Sequence, residues 1–317
     1  MSHPKSILTM DSLDNPSIRY IMERACYYRD HIHTTKLKDK IVGQLFFEPS
    51  TRTHSSFLAA AYRSGAEVIN YDAEPSSAKK GESLKDTVKT SLKDTVKTLE
   101  QYCDALVIRH PVEGMVKQLA DHVDIPVINA GDGSGEHPTQ ALLDFFTMIP
   151  YFPKGRRTVV TFCGDLKYSR VFHSLVRLMD RLKCGIVFIF VSDPALQVSE
   201  ALTKRLKNEY RCKSKLSDVI EGTDILYMTR LQKERFEGNL QVEPMILTPS
   251  LLSIAKSSMI VLHALPRNEE LPETCDEDPR CKFIEQMKNG VYVRMAVLDY
   301  CLKTEERMGF FSWFNKT

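Results

Sequence analysis

The segment Phe47-Glu48-Pro49-Ser50-Thr51-Arg52-Thr53 places three hydroxyls and a guanidinium in four consecutive positions. It follows an apolar run, Ile41 to Phe47, that reads as a strand, and it precedes a helical pattern beginning near Arg52. Hydroxyls, an arginine and free backbone N–H groups at a helix N-terminus make an anion site, with phosphate the natural guest. The plainer alternative is an ordinary N-cap in which Ser50 or Thr51 closes the first turn. Arg109-His110-Pro111 closes another strand-like run, Ala105 to Arg109, where ligands of open parallel sheets sit. Gly131-Asp132-Gly133-Ser134-Gly135-Glu136-His137-Pro138-Thr139-Gln140 is a glycine-rich loop opening a helix, and His137 and Gln140 are three apart, on one expected helix face. Gly164-Asp165-Leu166-Lys167-Tyr168-Ser169-Arg170 also follows a strand but lacks G-x-G-x-x-G and the P-loop lysine pattern, which disfavours a dinucleotide. Tyr227-Met228-Thr229-Arg230-Leu231-Gln232 adds an arginine and a glutamine after a strand. Each arginine taken singly reads as a solvated surface charge. Several at strand ends and helix starts imply a polyanionic ligand, with Lys79 and Lys80 as possible additions.

Positioning these groups requires alternating strands and helices, and the hydrophobic periodicity supplies them. The first half reads as a helix from about Ser12 to His31, a strand near Val68, a helix from near Glu82, a helix over Met115 to Asp121, a strand at Pro126 to Asn129 and a helix from His137 to Ile149. Pro150-Tyr151-Phe152-Pro153-Lys154-Gly155 breaks that helix and is the expected boundary. Beyond it come strands at Thr158 to Cys163, Ile186 to Val191 and Ile225 to Met228. Helices are expected over Ser169 to Leu182, near Leu196 to Asn208, near Leu216 and before Ile260, then an acidic loop over Asn268 to Arg280 and a helix from Val291 to Leu302. The expected architecture is α/β: two open parallel-sheet domains, residues 1–149 and 150–289, with a ligand cleft between them.

Composition agrees with an ordinary soluble enzyme. The chain has 317 residues, 43% hydrophobic and 26% charged, near globular averages. Its 43 basic and 41 acidic residues leave a net charge of +2, no bulk drive toward nucleic acid. No apolar run approaches a membrane span, and the N-terminus lacks a secretory apolar core. Eight cysteines without a CxxC pair suggest reduced thiols and a cytoplasmic location. Ser-Leu-Lys-Asp-Thr-Val-Lys-Thr occurs at 83–90 and again unchanged at 91–98, a tandem duplication that aligns Leu84, Val88, Leu92 and Val96 at helical spacing.

Taken together, S-T-R-T, K-K-G-E, R-H-P, H-P-T-Q, D-L-K-Y-x-R, Y-M-T-R-x-Q and L-P-R run over most of the chain in an order that resembles the catalytic chain of the aspartate carbamoyltransferases. The sister ornithine enzymes share S-T-R-T and H-P-T-Q, whereas Arg230 and Gln232 look like the aspartate version. The resemblance implies that Ser50, Thr51, Arg52 and Thr53 hold the phosphate of carbamoyl phosphate, with Arg109 beside it. Thr53, Arg109 and His137 would donate to the carbonyl oxygen and Gln140 would take the carbamoyl NH2. Arg170 would clamp the aspartate α-carboxylate, Arg230 and Gln232 the β-carboxylate. The carbonyls of Leu265 and Pro266 would orient the amine and carbamoyl nitrogen. Ser76 and Lys80 would enter from a neighbouring subunit, since family members are homotrimers with shared sites. The active site would then lie both in the cleft between the domains and at the subunit interface, and a terminal helix at about 290–303 would return to the first domain. It implies no metal and no cofactor, partners limited to the two substrates, like subunits and regulatory chains or other pathway enzymes, and neither nucleic acid nor membrane.

Three features depart from the family pattern. His263-Ala264-Leu265-Pro266 replaces His-Pro-Leu-Pro or His-Pro-Met-Pro, which frees the backbone before the missing proline. Ser169-Arg170-Val171 replaces Gly-Arg-Thr and removes a hydroxyl beside the arginine. The duplication is the third. Eight added helical residues amount to about 12 Å and about 80° of rotation. That cannot be absorbed before Arg109, so the first copy is expected to be expelled as an extension or loop while the second packs. The competing functional readings are a carbamoyltransferase for another acceptor such as ornithine, and a catalytically impaired scaffold homologue.

Overall fold

In the computed structural model, residues 5–72, 84–182, 185–236, 238 and 240–302 are described, with residues 72 and 84–91 as backbone alone. The chain divides into two compact units: residues up to Thr139 together with the last helix from Gly290 onward, and residues Gln140–Asn289.

The first unit is built on four parallel strands, β1 (Ile41–Phe46), β2 (Glu67–Asp72), β3 (Ala105–His110) and β4 (Val127–Asp132), in the order β2-β1-β3-β4. Residues Ala105 to Ile108 are all buried, as a parallel sheet covered on both faces requires. Helix α1 (Asn15–Asp30) is capped by Asp14, whose carboxylate accepts from the Ser17 N–H at 2.8 Å. Helix α2 (Thr51–Arg63) follows β1, α3 (Leu84–Glu100) follows β2, and α4 (Met115–Ala120) follows β3. Leu92, Val96 and Leu99 of α3 join Met115, Val116 and Leu119 of α4 in one core cluster with Leu45, Leu106 and Ile108 of the sheet.

From Leu84 onward the duplicated segment is therefore accommodated as helix. The second copy supplies the buried Leu92 and Val96, and the first copy adds backbone turns at the N-terminal end of the same helix, an extension and not a loop. Register at β3 is undisturbed, because Val42 to Phe46 still pair with Ala105 to Arg109. Deleting residues 83–90 should accordingly leave the fold intact, with a thermal midpoint within about 3 °C of the parent. Misfolding of that variant, seen by circular dichroism, would show the first copy to be integral.

The second unit carries five parallel strands, β5 (Thr158–Gly164), β6 (Ile186–Val191), β7 (Glu209–Lys213), β8 (Ile225–Thr229) and β9 (Ile260–His263), in the order β7-β6-β5-β8-β9. Its helices are α5 (Pro138–Met148), α6 (Arg170–Leu182), α7 (Glu200–Thr203) and α8 (Pro249–Ile254). Helix α9 (Phe283–Leu302) begins in this unit and ends in the first. The division also falls inside α5, one residue before Gln140.

Three expectations are corrected. The segment expected to be helical to Asn208 stops at α7, because the Asp180 carboxylate accepts the Lys207 and Asn208 N–H groups at 2.9 and 2.8 Å and turns the chain into β7. Strand β7 has no signature in the sequence, because all five of its residues are exposed on a sheet edge and show no apolar alternation. Helix α9 starts at Phe283, eight residues before Val291. Asn289 and Gly290 read as a break, but Asn289 donates to the Thr147 hydroxyl at 3.1 Å and the helix continues.

Asp224, at the start of β8, ties three segments of this unit together. Its carboxylate takes Arg156 at 2.7 Å, Lys256 at 2.7 Å and the Val159 N–H at 2.9 Å. Burial pushes the carboxyl up, yet the hydrogen bonds from Arg156, Lys256 and Val159 outweigh it and hold it down to about 2. A folded pKa below the unfolded one contributes stability above the unfolded value of 3.8 and loses it as pH falls toward about 2. Asp224→Asn is expected to cost about 2 kcal/mol at pH 7 and to flatten the loss of stability between those pH values. Urea titrations at a series of pH values measure both.

Candidate active site

The residues expected to meet an anion lie on the loops that follow the parallel strands of the first unit. Phe46 and Arg109 are paired in register, so the loop leaving β1 and the end of β3 lie side by side. Ser50 stands at the N-cap of α2 but makes no side-chain cap hydrogen bond, so the plain capping reading does not describe it. Thr51 and Arg52 are exposed in the first turn, whereas Thr53 is buried. Arg109 donates to the Ala130 carbonyl at 3.3 Å and pairs with Glu48 at 2.9 Å. A carboxylate thus already engages one arm of a guanidinium that a phosphate could use.

The glycine-rich loop after β4 packs against the Arg-His-Pro segment. Gly133 has φ +51°, and a Cβ there would stand 2.5 Å from the Glu113 nitrogen and 2.8 Å from the Pro111 oxygen. Only glycine fits. Asp132 accepts from the Gly114 N–H at 3.0 Å, and Glu136 accepts from the Met10 N–H at 2.9 Å. His110 accepts the Val112 N–H on Nδ1 at 3.0 Å, and burial lowers its pKa, so it is a neutral structural ring. His137 is buried immediately before α5. The helix starts at Pro138, so His137 immediately precedes it and Gln140 lies in its first turn.

In the second unit, the loops after β5 and β8 carry Arg170, Arg230 and Gln232. Gly164 and Thr229 are in register, and a Cβ on Gly164 would lie 2.1 Å from the Thr229 oxygen. That close approach brings Asp165, fully buried, between the two loops. Its Oδ1 accepts from Lys167 and Tyr168 N–H at 3.1 and 2.9 Å, and its Oδ2 accepts from the Gln232 N–H at 3.0 Å. Arg170 opens α6 and is buried. Arg230 is paired with Glu234 through both terminal nitrogens, at 3.1 and 2.5 Å. Here too a carboxylate of the chain occupies a guanidinium, and that hydrogen bond from Arg230 holds the Glu234 carboxyl down.

The loop after β9 contains a cis Leu265–Pro266 bond, with Leu265 at φ +56°. His263, buried, shapes it: its Nδ1 accepts the Leu265 N–H at 2.8 Å, and its Nε2 lies 2.9 Å from Glu270 Oε1. An acceptor on one ring nitrogen requires the proton on the other, facing Glu270. Burial raises the Glu270 carboxyl, but the hydrogen bond from His263 leads the opposing contributions and the net direction is down. The turn that lost a proline at Ala264 is thus held by the histidine that precedes it.

The structure groups Ser50–Thr53 with Arg109, and Arg170 with Arg230 and Gln232. Ser76, Lys79 and Lys80 lie outside the described residues, as does the chain after Leu302. Glu48, Glu234 and Asp165 are the participants that sequence reasoning left without a role. The two glutamates carry a faint signal, each lying beside or four residues from an assigned arginine. Asp165 carries the signal of a backbone-capping residue just after a strand. Among the described residues no cluster of three His, Cys, Asp or Glu could hold a metal, and no helix is long and apolar enough to cross a membrane.

Two family profiles match the chain: aspartate/ornithine carbamoyltransferase, carbamoyl-P binding domain, over residues 5–150, and the Asp/Orn binding domain of the same family over residues 157–301. The chain is 44% identical over 268 residues to an aspartate carbamoyltransferase catalytic subunit of Alkaliphilus oremlandii, covering 82% of this chain and 78% of that one. It is 40% identical over 303 residues to the catalytic subunit from Archaeoglobus fulgidus, covering 93% and 98%. Among solved structures, aspartate transcarbamoylase from Trypanosoma cruzi in complex with carbamoyl aspartate and phosphate superposes with a TM-score of 0.83 at 36% identity, covering 93% and 95%.

Proposed function

The chain belongs to the aspartate/ornithine carbamoyltransferase family, and from that premise we propose that it transfers the carbamoyl group of carbamoyl phosphate to the amine of L-aspartate. The products are N-carbamoyl-L-aspartate and phosphate, and the step commits nitrogen to de novo pyrimidine synthesis. The observation that carries the choice of acceptor is the pair of arginine-bearing loops joined by Asp165. Arg170 and Arg230 suit an amino acid with two carboxylates, and the cationic side chain of ornithine would face Arg230 with like charge. Carbamoyl phosphate binds on Ser50, Thr51, Arg52, Thr53 and Arg109.

The carbonyl of carbamoyl phosphate is already activated, so the reaction calls on the protein for alignment and charge stabilisation. The amine attacks the carbonyl carbon, and Thr53, Arg109 and His137 donate to the oxygen as it gains charge. Each donor of this kind contributes about 3–4 kcal/mol to the transition state. Gln140 and the carbonyls of Leu265 and Pro266 accept from the carbamoyl NH2. The C–O bond to phosphate then breaks, and the departing phosphate takes the amine proton. Glu48 and Glu234 must yield their arginines as the substrate anions arrive.

The test is phosphate release from carbamoyl phosphate with aspartate, ornithine and other amino acids as acceptors. Aspartate alone is expected to support turnover. Preference for ornithine refutes the acceptor assignment, and no turnover with any acceptor points to a scaffold. The further reading is a cytoplasmic homotrimer whose Ser76 and Lys80 complete a neighbour's site. His137→Ala and Lys80→Ala homotrimers should each be nearly inactive, and mixed trimers should recover activity by assembling one intact site. Mixed trimers that stay inactive after verified exchange would place the lysine in its own subunit's site. Deleting residues 83–90 removes about two turns from the N-terminal end of α3, the end nearest Lys80 in the chain, and should change the KM for aspartate more than that for carbamoyl phosphate.

A further inference from the structure

Asp144 is fully buried in α5 and accepts three hydrogen bonds within the second unit: from Gln140 Nε2 at 2.8 Å, Gln286 Nε2 at 2.6 Å and the Tyr227 hydroxyl at 2.7 Å. Gln286, itself buried, turns its other end to β9, where Oε1 accepts the His263 N–H at 3.0 Å. His263 in turn accepts the Leu265 N–H. One chain of hydrogen bonds, buried at its centre, therefore runs from Gln140 through Asp144, Gln286 and His263 to the loop of Leu265 and Pro266.

We propose that Asp144 is a positioning residue for the carbamoyl group, orienting the Gln140 amide and the Leu265–Pro266 loop together as the acceptors that select an NH2 on the substrate. The inference rests on the carbamoyl-transfer reading above. An ionised carboxylate only accepts, so Gln140 must turn its NH2 to Asp144, and the amide oxygen is the end that remains for a ligand. Without that constraint a glutamine amide presents donor or acceptor with little preference, and a donor facing the carbamoyl NH2 repels it. The same Oδ1 that holds Gln140 holds Gln286, and through it the backbone of the loop. A carbamoyl NH2 has two hydrogens, one for the Gln140 oxygen and one for the loop carbonyls. Burial raises the Tyr227 hydroxyl far above its ordinary range and the nearby Asp144 adds to it, so Tyr227 stays protonated and donates throughout the working pH range.

The test compares carbamoyl phosphate with acetyl phosphate, which keeps the phosphate and the carbonyl oxygen but carries CH3 in place of NH2. Parent turnover is measured first. A parent that does not transfer the carbamoyl group refutes the functional reading, and an active parent leaves the following arms to judge Asp144 alone. In Asp144→Leu, the KM for carbamoyl phosphate should rise on the order of 10-fold. The inhibition constant of acetyl phosphate should move less than about 2-fold, because nothing in it addresses Gln140. Asp144→Asn keeps an oxygen for both glutamines and lets Tyr227 accept from the new NH2, so it should stay within about 3-fold of the parent for both ligands. If Asp144→Leu does not fold, Asp144→Ser, which is too short to reach Gln140, should give the same split. Equal shifts for the two ligands, or no shift for carbamoyl phosphate in a folded Leu or Ser variant, overturn the proposal.

Discussion

Replacing Arg52 by alanine is expected to lower kcat/KM for carbamoyl phosphate on the order of 10²–10³-fold while leaving the protein folded. Arg52 is exposed in the first turn of α2 and belongs to no core cluster. Its removal therefore takes away a charged donor at an anion site without opening a cavity. A thermal midpoint within about 2 °C of the parent, measured on the same preparation, separates this loss from unfolding. Near-normal turnover in the folded variant would refute the assignment of phosphate to Ser50–Thr53. Arg52→Lys should recover only part of the activity, because an ammonium supplies the charge but not the planar, bidentate donor set.

Asp165→Ala should raise the KM for aspartate at least about 10-fold and destabilise the second unit by about 3 kcal/mol. The stability loss follows from three backbone N–H groups, those of Lys167, Tyr168 and Gln232, which lose their acceptor in a buried place. The effect on aspartate follows from what those groups hold: one loop leads into Arg170 and the other carries Arg230 and Gln232. Binding of carbamoyl phosphate without aspartate should change less than about 2-fold, since Ser50–Thr53 and Arg109 belong to the other unit and the Asp165 carboxylate holds the backbone of Lys167, Tyr168 and Gln232, not Gln140 or the Leu265–Pro266 loop. Asp165→Asn provides a graded control. Its oxygen can keep the Lys167 and Tyr168 N–H groups, but its NH2 then meets the Gln232 N–H donor to donor. An intermediate KM is expected for it. An Asp165→Ala protein with an unchanged aspartate KM would mean that the arginine loops hold their geometry without this tie.

Much of the fold was legible in the chain because parallel strands buried on both faces read as short apolar runs. Ala105–Ile108 and Ile186–Val191 are of this kind, and both are strands. The elements that were missed lack such a local signature. Strand β7 is an exposed edge with a single strand partner, and the first turns of α9 pass through Asn289-Gly290, which local preference alone reads as a stop. The candidate site divides along the same line. Charged groups such as Arg52, Arg109, Arg170 and Arg230 stand out because an arginine at a strand end or helix start has a chemical meaning of its own.

By itself, then, the sequence determined the family, the alternation of strand and helix, and the chemistry of the groups that meet two anions. Those follow from residue type and short-range spacing. Only the tertiary structure decided which carboxylates hold those groups: Glu48 on Arg109, Glu234 on Arg230, Asp165 between two loops and Asp144 beneath Gln140. It also decided that the duplicated octapeptide lengthens α3 at its N-terminal end and leaves β3 in register. The physical reason is that a buried carboxylate finds its partners through space. Asp144 and Gln286 stand 142 positions apart in the chain and 2.6 Å apart in the fold, and no periodicity in the sequence encodes such a pairing.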